Sequence, residues 1–226
     1  MIPEELRSVL DAADGDIVAF PDADYEMARP FIRSESWESQ ADMDMQAVVG
    51  TRHPDYGGHT WRWLLENGKR MHINLPLYGE NPGYYYGDDK KLPEMSYISL
   101  DGRHWYVDGD GNHRTAIARF AFRARRWPKP LMGVARTLVD VDREFMALHE
   151  ELMEVLARQK NAVAPVVCRR PAHRDDGPGW KRDHYDIRVS VPGFTVAQDK
   201  EGARQCLAVL KGRRRRRWWP FGPAGN

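Results

Sequence analysis

Apolar and polar positions follow their clearest pattern in the middle of the chain. Tyr97–Leu100 and His104–Val107 alternate as strands do, and Asp101-Gly102 between them is a pair that accepts the positive backbone angles of a tight turn. From Thr115 onward, apolar residues recur at the i, i+3, i+4, i+7 spacing of a buried helical face, at Ile117, Phe120, Ala121 and Ala124. The pattern predicts a β-hairpin that leads into a helix.

Shorter patterns on both sides predict the remaining elements. Helices are expected at 3–10, 59–66, 142–159 and 201–210, and strands at 17–20, 71–77, 134–141 and 185–191. Residues 22–44 lack a clean period and 78–93 are rich in Gly, Pro, Tyr and Asp, so both are predicted to be mostly loop. Together these elements predict an α/β or α+β domain, with a small mixed β-sheet and flanking helices.

Length and charge suggest one main domain with extensions. Residues 1–60 carry 13 acidic and four basic side chains, whereas the rest of the chain carries 20 acidic and 30 basic ones. A basic remainder of this kind attracts nucleic acid, nucleotide or anionic lipid. We therefore divide the chain into an acidic extension at 1–60, a core at 61–160, a linker with a strand and a helix at 161–211, and a basic aromatic tail at 212–226.

Two absences bear on localisation. No apolar run approaches the roughly 20 residues that span a bilayer, and the first residues lack the basic and then apolar order of a signal peptide. Cys168 and Cys206 are far apart and lack the close spacing of a zinc or redox motif. These features predict a cytoplasmic protein with reduced cysteines.

The segment Asp110–Thr115 joins the hairpin to the helix and carries the main candidate chemistry. Gly111 lets a ligand approach the backbone closely, and the free amides at the helix start, from Asn112 to Thr115, favour an anion. Arg114 adds a charged fork, His113 a titratable donor, and Asp110 a group that orients His113 or holds a magnesium ion. The spacing alone leaves open a plain turn with a helix cap.

The stretch from Tyr106 to Ala118, with Asp-Gly-Asn-His-Arg-Thr at its centre, resembles the signature of the ParB/sulfiredoxin superfamily. The resemblance is specific over about residues 95–125. It implies a ParB/sulfiredoxin-like core in which the turn binds nucleotide phosphate. Asn112 stands where sulfiredoxins have their reactive cysteine, and no DNA-reading helix-turn-helix of the ParB type is evident after residue 160.

In size and layout the chain looks like the plasmid fertility-inhibition proteins of the Osa and FiwA type. That resemblance implies ATP and Mg²⁺ as cofactors, ATPase and DNase activity, and a block of conjugative DNA transfer at the coupling protein of a type IV secretion system. Asp110, His113 and Arg114 would then be catalytic. Two alternatives stay open: a nucleotide-dependent protein-binding module without catalysis, and a ParB-like small-molecule kinase.

Basic residues outside the turn are candidates for DNA contact. Arg119, Arg123 and Arg126 share one face of the predicted helix, and five consecutive arginines, Arg213 to Arg217, precede Trp218 and Trp219. Of these five, Arg213, Arg214 and Arg215 are the expected DNA ligands. Proteins bind single-stranded nucleic acid by combining positive charge on the phosphates with aromatic stacking on the bases. A solvated helix face and a disordered tail are the competing interpretations.

The catalytic base is not identified, and Glu66, Glu80, Asp89 and Glu94 are all candidates for it.

Overall fold

The structure of the chain is a computed structural model that describes residues 1–158 and 163–217, without the side chains of Ala13 and residues 213–217. The strands are β1 (Val18–Ala19), β2 (Ile32–Met43), β3 (Val48–Thr51), β4 (Ser96–Ser99), β5 (Trp105–Val107), β6 (Leu131–Val141), β7 (Val166–Gly177) and β8 (Trp180–Ser190). The helices are α1 (Glu4–Arg7), α2 (Leu10–Ala13), α3 (Asp22–Ala28), α4 (Trp61–Asn67), α5 (Met71–Glu80), α6 (Gly83–Tyr86), α7 (Asn112–Arg125), α8 (Arg143–Ala157) and α9 (Lys200–Arg217). A short 3₁₀ turn occupies Arg29–Phe31.

The strands form one mixed sheet in the order β1-β3-β5-β4-β6-β2-β8-β7. The pairs β1 with β3, β3 with β5 and β4 with β6 are parallel, whereas β4 and β5 are antiparallel, with Tyr97 opposite Val107. The β4–β5 pair is the predicted hairpin, and its turn is fixed by the Asp101 carboxylate, which accepts from the backbone N–H groups of Arg103 and His104 (both 2.8 Å). The mixed sheet with helices confirms the predicted fold class.

The chain forms two compact units. Unit 1 consists of residues 1–22, 35–140 and 174–182. Its core surrounds α7, which packs against α1, α2, α4 and α5 and buries nine of its residues, including Ile117 and Phe120 at zero exposure. The predicted buried face of this helix is confirmed at Ile117, Phe120 and Ala121, which places the start of α7 at the centre of unit 1.

Unit 2 consists of residues 23–34, 141–173 and 183–226. Within it α8 and α9 pack together, and α8 buries Phe145, Leu152, Val155 and Leu156. Asp142 caps α8 by accepting from the Phe145 N–H (3.0 Å), and its carboxylate also binds Lys200 Nζ (3.0 Å). Aspartate is a favoured residue at this position because its carboxylate satisfies an amide that the helix start leaves free.

Four predictions about elements are wrong. Residues 71–77, predicted as a strand, lie in α5, and the predicted loop 22–44 contains α3 and β2. Within the segment predicted as a linker with a strand and a helix at 161–211, most of residues 161–182 lie in β7 and β8 instead of an irregular linker. The single N-terminal helix is divided into α1 and α2, because Val9 leaves the helical conformation (φ −122°, ψ 11°).

Among the described residues no helix combines the length and apolarity that a membrane span requires.

Candidate functional site

The turn between β5 and α7 forms as the sequence predicts, and its backbone requires glycine. Gly111 has φ +118°, and a Cβ atom there would lie 3.3 Å from Cβ of Met95. The carbonyl of Gly111 accepts from the Thr115 N–H (2.7 Å), so α7 begins at Asn112. No side chain of the described residues caps this helix, so its first amides are left to water or a ligand.

Asn112 and Thr115 turn their side chains into the protein. Asn112 is buried, and its Oδ1 accepts from the hydroxyl of Thr51 at the end of β3 (2.6 Å). The hydroxyl of Thr115, also buried, lies 2.8 Å from the hydroxyl of Tyr97. Both side chains therefore anchor the helix start to the sheet, and what these positions can offer a ligand is backbone N–H.

Arg114 is also largely committed to the protein. Its Nη1 donates to the Tyr84 hydroxyl (2.8 Å) and to the carbonyl of Pro93, while its Nη2 donates to the carbonyl of Glu94 (3.2 Å) and lies 3.1 Å from Oδ2 of Asp110. The guanidinium side chain is only 10% exposed. Arg114 thus holds the segment before β4 against the turn, a structural role that the sequence did not indicate.

His113 meets the start of a second helix. The backbone N–H of Arg70, which precedes α5, donates to Nε2 of His113 (3.3 Å), and the hydroxyl of Tyr56 lies 3.4 Å from the same nitrogen. Burial lowers the pKa of His113, and the positive charge of Arg70 lowers it further. The ring is therefore neutral at pH 7, and because Nε2 accepts, the proton is assigned to Nδ1.

The starts of α5 and α7 consequently converge on one imidazole. Each helix carries partial positive charge at its N-terminus, and both helices are long enough for this effect, with ten and 14 residues. The side chain of Arg70 is exposed and has no ion-pair partner in the described part of the chain. Asp110, 60% exposed, is the opposing negative charge. The two helix starts and Arg70 together outweigh the one carboxylate, so the local charge favours an anion.

A cavity of about 580 Å³ opens beside the turn. Its lining includes the charged and polar groups of Arg70, Asp110, Gly111, His113 and Arg114. Its lining also includes tyrosine rings and the apolar side chains of Ile73, Leu77 and Leu92, which are each more than half exposed. A cavity of this size and mixed lining accommodates a small molecule that has both a charged group and a flat or apolar group.

The segment that follows α6 forms a fixed wall of this cavity. Lys91 is 1% exposed, and its Nζ donates to the carbonyls of Gly87 (2.8 Å) and Asp89 (2.9 Å), while its backbone N–H donates to Gly133 (2.7 Å). Burial lowers the pKa of Lys91. These bonds hold the second half of the segment that was predicted as a loop at 78–93. Leu92 and Pro93 of this segment line the cavity.

The structure brings together some of the predicted site residues and separates others. Asp110, Gly111, His113 and Arg114 line the cavity, whereas Asn112 and Thr115 point away from it. The acids Glu66, Glu80, Asp89 and Glu94 are absent from the lining, so among the described residues Asp110 is its carboxylate. Asp110 belongs to no described cluster of three or more side chains that could share a metal ion.

Of the arginines predicted to contact DNA, one is bound to the protein itself and two are exposed. Arg119 donates to the carbonyls of Met45 and Val48 (2.9 Å to Val48), and its guanidinium lies 4.9 Å from the Trp61 ring centroid. Its role is therefore structural. Arg123 and Arg126 are exposed. The side chains of Arg213, Arg214 and Arg215 and the residues Trp218 and Trp219 lie outside the described residues.

The sequence reasoning missed the contribution of α5. Arg70, Ile73, Asn74, Leu77 and Asn81 line the cavity at the spacing of one helical face. That spacing was a usable signal, but Pro76 is unusual inside a helix, and the apolar residues on two faces give the helix almost no amphipathic contrast.

Comparison with family models, with curated proteins and with solved structures returned no match to this chain. The residues of the cavity are therefore the basis on which a function can be assigned.

Proposed function

We propose that unit 1 binds a nucleotide in the cavity beside the 110–115 turn. The observation that carries the proposal is that two helix starts without a side-chain cap, at Arg70 and Gly111, both line a cavity that is also lined by apolar and aromatic side chains. Backbone amides and a dipole end are well suited to phosphate. Exposed apolar and aromatic side chains are suited to a base and sugar.

In this arrangement the phosphates lie against the amides of α7, with Arg70 and the Nδ1–H of His113 as side-chain donors. Arg114 contributes by fixing the wall, through Tyr84 and Pro93. Arg70 therefore takes the direct cationic role that the sequence gave to Arg114, because its guanidinium is exposed and that of Arg114 is engaged.

The residues also fit the proposed cofactors, ATP and Mg²⁺. Magnesium is commonly held by one or two carboxylates together with substrate phosphates and water, and Asp110 would supply one carboxylate from the cavity lining. In the proposed hydrolysis, water would attack the terminal phosphorus as the bond to the bridging oxygen breaks, and ADP, inorganic phosphate and one proton would be released to solvent. The helix amides and Arg70 would stabilise the charge that develops on the phosphoryl oxygens.

A structure with a nonhydrolysable ATP analogue tests this assignment. We expect phosphate density against the first turn of α7 and the base beside Ile73 or Leu77. Density elsewhere would contradict the site.

Phosphate release from ATP and nicking of plasmid DNA, each with and without magnesium, then separate an ATPase, a nuclease and a binding module without catalysis. Transfer of phosphate to an added small alcohol would indicate a kinase.

The cellular part of the proposal depends on the resemblance to fertility-inhibition proteins. The protein would block export of a second plasmid at the coupling protein of a type IV secretion system, without lowering that plasmid's copy number. A mating assay with the parent protein and Arg70→Ala tests this. Loss of inhibition in the variant is expected, and transfer at the control level with the parent protein would remove the cellular role while leaving nucleotide binding intact.

A further inference from the structure

A second and larger cavity of unit 1 lies at the other end of α7. This groove of about 1260 Å³ is lined by Arg119 and the last turn of α7, by residues 126–130, and by residues of 9–14 and 44–46. The volume exceeds the roughly 300–1,000 Å³ of small-molecule pockets. An extended ligand fits such a groove better than a compact one.

The lining of this groove carries cations that form no ion pair with the described part of the chain. Arg123, Arg126 and Lys129 line it, are exposed, and form no ion pair within the described ranges. The lining also contains Asp14 and Asp44, whose Oδ1 atoms accept from the backbone N–H groups of Arg62 and Gln46 (both 2.9 Å). The three exposed cations outnumber these two carboxylates, so the charge of the groove favours an anion.

Arg126 has a backbone conformation that disfavours a side chain. Its φ is +49° and its ψ 44°, and it is the one non-glycine residue with positive φ among those described. The position follows the end of α7, where glycine is usually found because it has no Cβ. The cap bonds, Arg126 N–H to Arg123 and Trp127 N–H to Phe122, involve only backbone atoms, and glycine would preserve them. An arginine here implies a use for the guanidinium.

The helix dipole does not account for this set of charges. Cations in the last turn of a helix interact favourably with its free carbonyls, which explains Arg123. Arg126 lies beyond the helix and Lys129 three residues further on. Trp127, between them, is partly exposed and presents an indole to the groove while packing against Tyr86, with ring centroids 4.9 Å apart.

We propose that this groove binds single-stranded nucleic acid, with Arg123, Arg126 and Lys129 on the phosphates and Trp127 beside a base. Cations interleaved with an aromatic ring are the usual means of holding a single strand without sequence preference. A concave groove fits a flexible strand, whereas a bilayer is flat and a duplex is a wide rod. The proposal does not depend on nucleotide binding at the first cavity.

Fluorescence anisotropy of the full chain with a labelled oligothymidylate tests the proposal. We expect Arg126→Gly to weaken binding about five- to tenfold and to reduce the slope of log affinity against log salt by about 0.7, the value for one phosphate contact on a single strand. The melting temperature of Arg126→Gly should be unchanged or raised, because glycine relieves the left-handed backbone. A structural role for Arg126 would instead lower it.

A second variant and a matched control complete the test. Arg123→Gln combined with Lys129→Gln should reduce the salt slope by about 1.4, whereas Arg103→Gln, at an exposed arginine outside the groove, should leave it unchanged. An equal loss of affinity for the oligothymidylate in all three variants would overturn the proposal. So would a duplex, or a vesicle of anionic lipid, that binds as tightly as the oligothymidylate and loses affinity in the same variants.

Discussion

The backbone N–H of Arg70 donates a hydrogen bond to Nε2 of His113 across 3.3 Å, and this contact joins the starts of α5 and α7. Gly68 makes the contact possible, because a Cβ atom there would lie 2.7 Å from Cδ2 of His113. The imidazole is thereby held neutral with Nε2 as acceptor. His113 thus belongs to the scaffold of the proposed phosphate site as well as to its lining.

We predict that this contact makes the stability of unit 1 depend on pH. The unfolded chain protonates His113 near pH 6.5, whereas burial and the charge of Arg70 lower the pKa of His113 in the folded protein. Between these two values the unfolded state binds more protons, so the free energy of unfolding is greatest above pH 6.5 and falls as the pH decreases toward the folded pKa.

Urea denaturation across pH 5 to 8 measures the effect. His113→Gln keeps an acceptor for the Arg70 N–H and should show a shallower loss of stability below pH 6.5 than the parent. His72→Gln, at an exposed position on α5, is the control and should follow the parent. A parallel pH dependence in all three proteins would show that His113 does not titrate as proposed.

Thr51 is predicted to be essential for the position of the helix start. Its hydroxyl donates to Oδ1 of Asn112 (2.6 Å) and accepts from the His53 N–H (2.9 Å), and the side chain is buried. Thr51→Val keeps the shape but leaves both groups unpaired, so we expect a loss of about 1–3 kcal/mol in the free energy of unfolding. Thr51→Ser retains the hydroxyl and should lose less than about 1 kcal/mol. A larger loss in Thr51→Ser than in Thr51→Val would mean that the methyl group, and not the hydrogen bonds, is what matters.

Arg114→Ala is predicted to destabilise unit 1 by about 2–4 kcal/mol, since it removes a buried charged donor from Tyr84, Pro93 and Glu94. Arg123→Ala, at an exposed arginine on the same helix, should change stability by less than about 0.5 kcal/mol. Chemical denaturation gives both values. If Arg114→Ala kept the stability of the parent and lost only nucleotide affinity, Arg114 would be a direct ligand, as the sequence suggested.

The sequence predicted the centre of the fold well because the signals there are local. Asp101-Gly102 determines its own turn, and Gly111 is required by a positive φ and by the nearness of Met95. The buried face of α7 is visible as a period of apolar residues. Hairpin, turn and helix start could therefore be placed without knowledge of the rest of the chain.

The elements and side-chain roles that the sequence did not predict depend on contacts between residues that are distant along the chain. Residues 166–177 contain Pro171 and many charges, typical of a linker, yet they form β7 by pairing in a hairpin with β8. The roles of Arg114 and Arg119 could not be predicted either, since both guanidinium groups bind carbonyls of segments far away in sequence. A charged residue shows its charge in the sequence, but not its partner.

The affinity of Arg70→Ala for a nucleotide tests the central claim most directly. Calorimetric titration of a nonhydrolysable ATP analogue, with magnesium, should show a loss of about 1.5–3 kcal/mol relative to the parent, the range for a charged hydrogen bond to phosphate. Lys69→Ala removes the same charge one residue earlier, from a side chain that is 77% exposed, pairs with Asp55 and lies outside the cavity lining, and it should bind like the parent. Unchanged affinity in Arg70→Ala, with an unchanged circular dichroism spectrum, would contradict nucleotide binding at the meeting of α5 and α7.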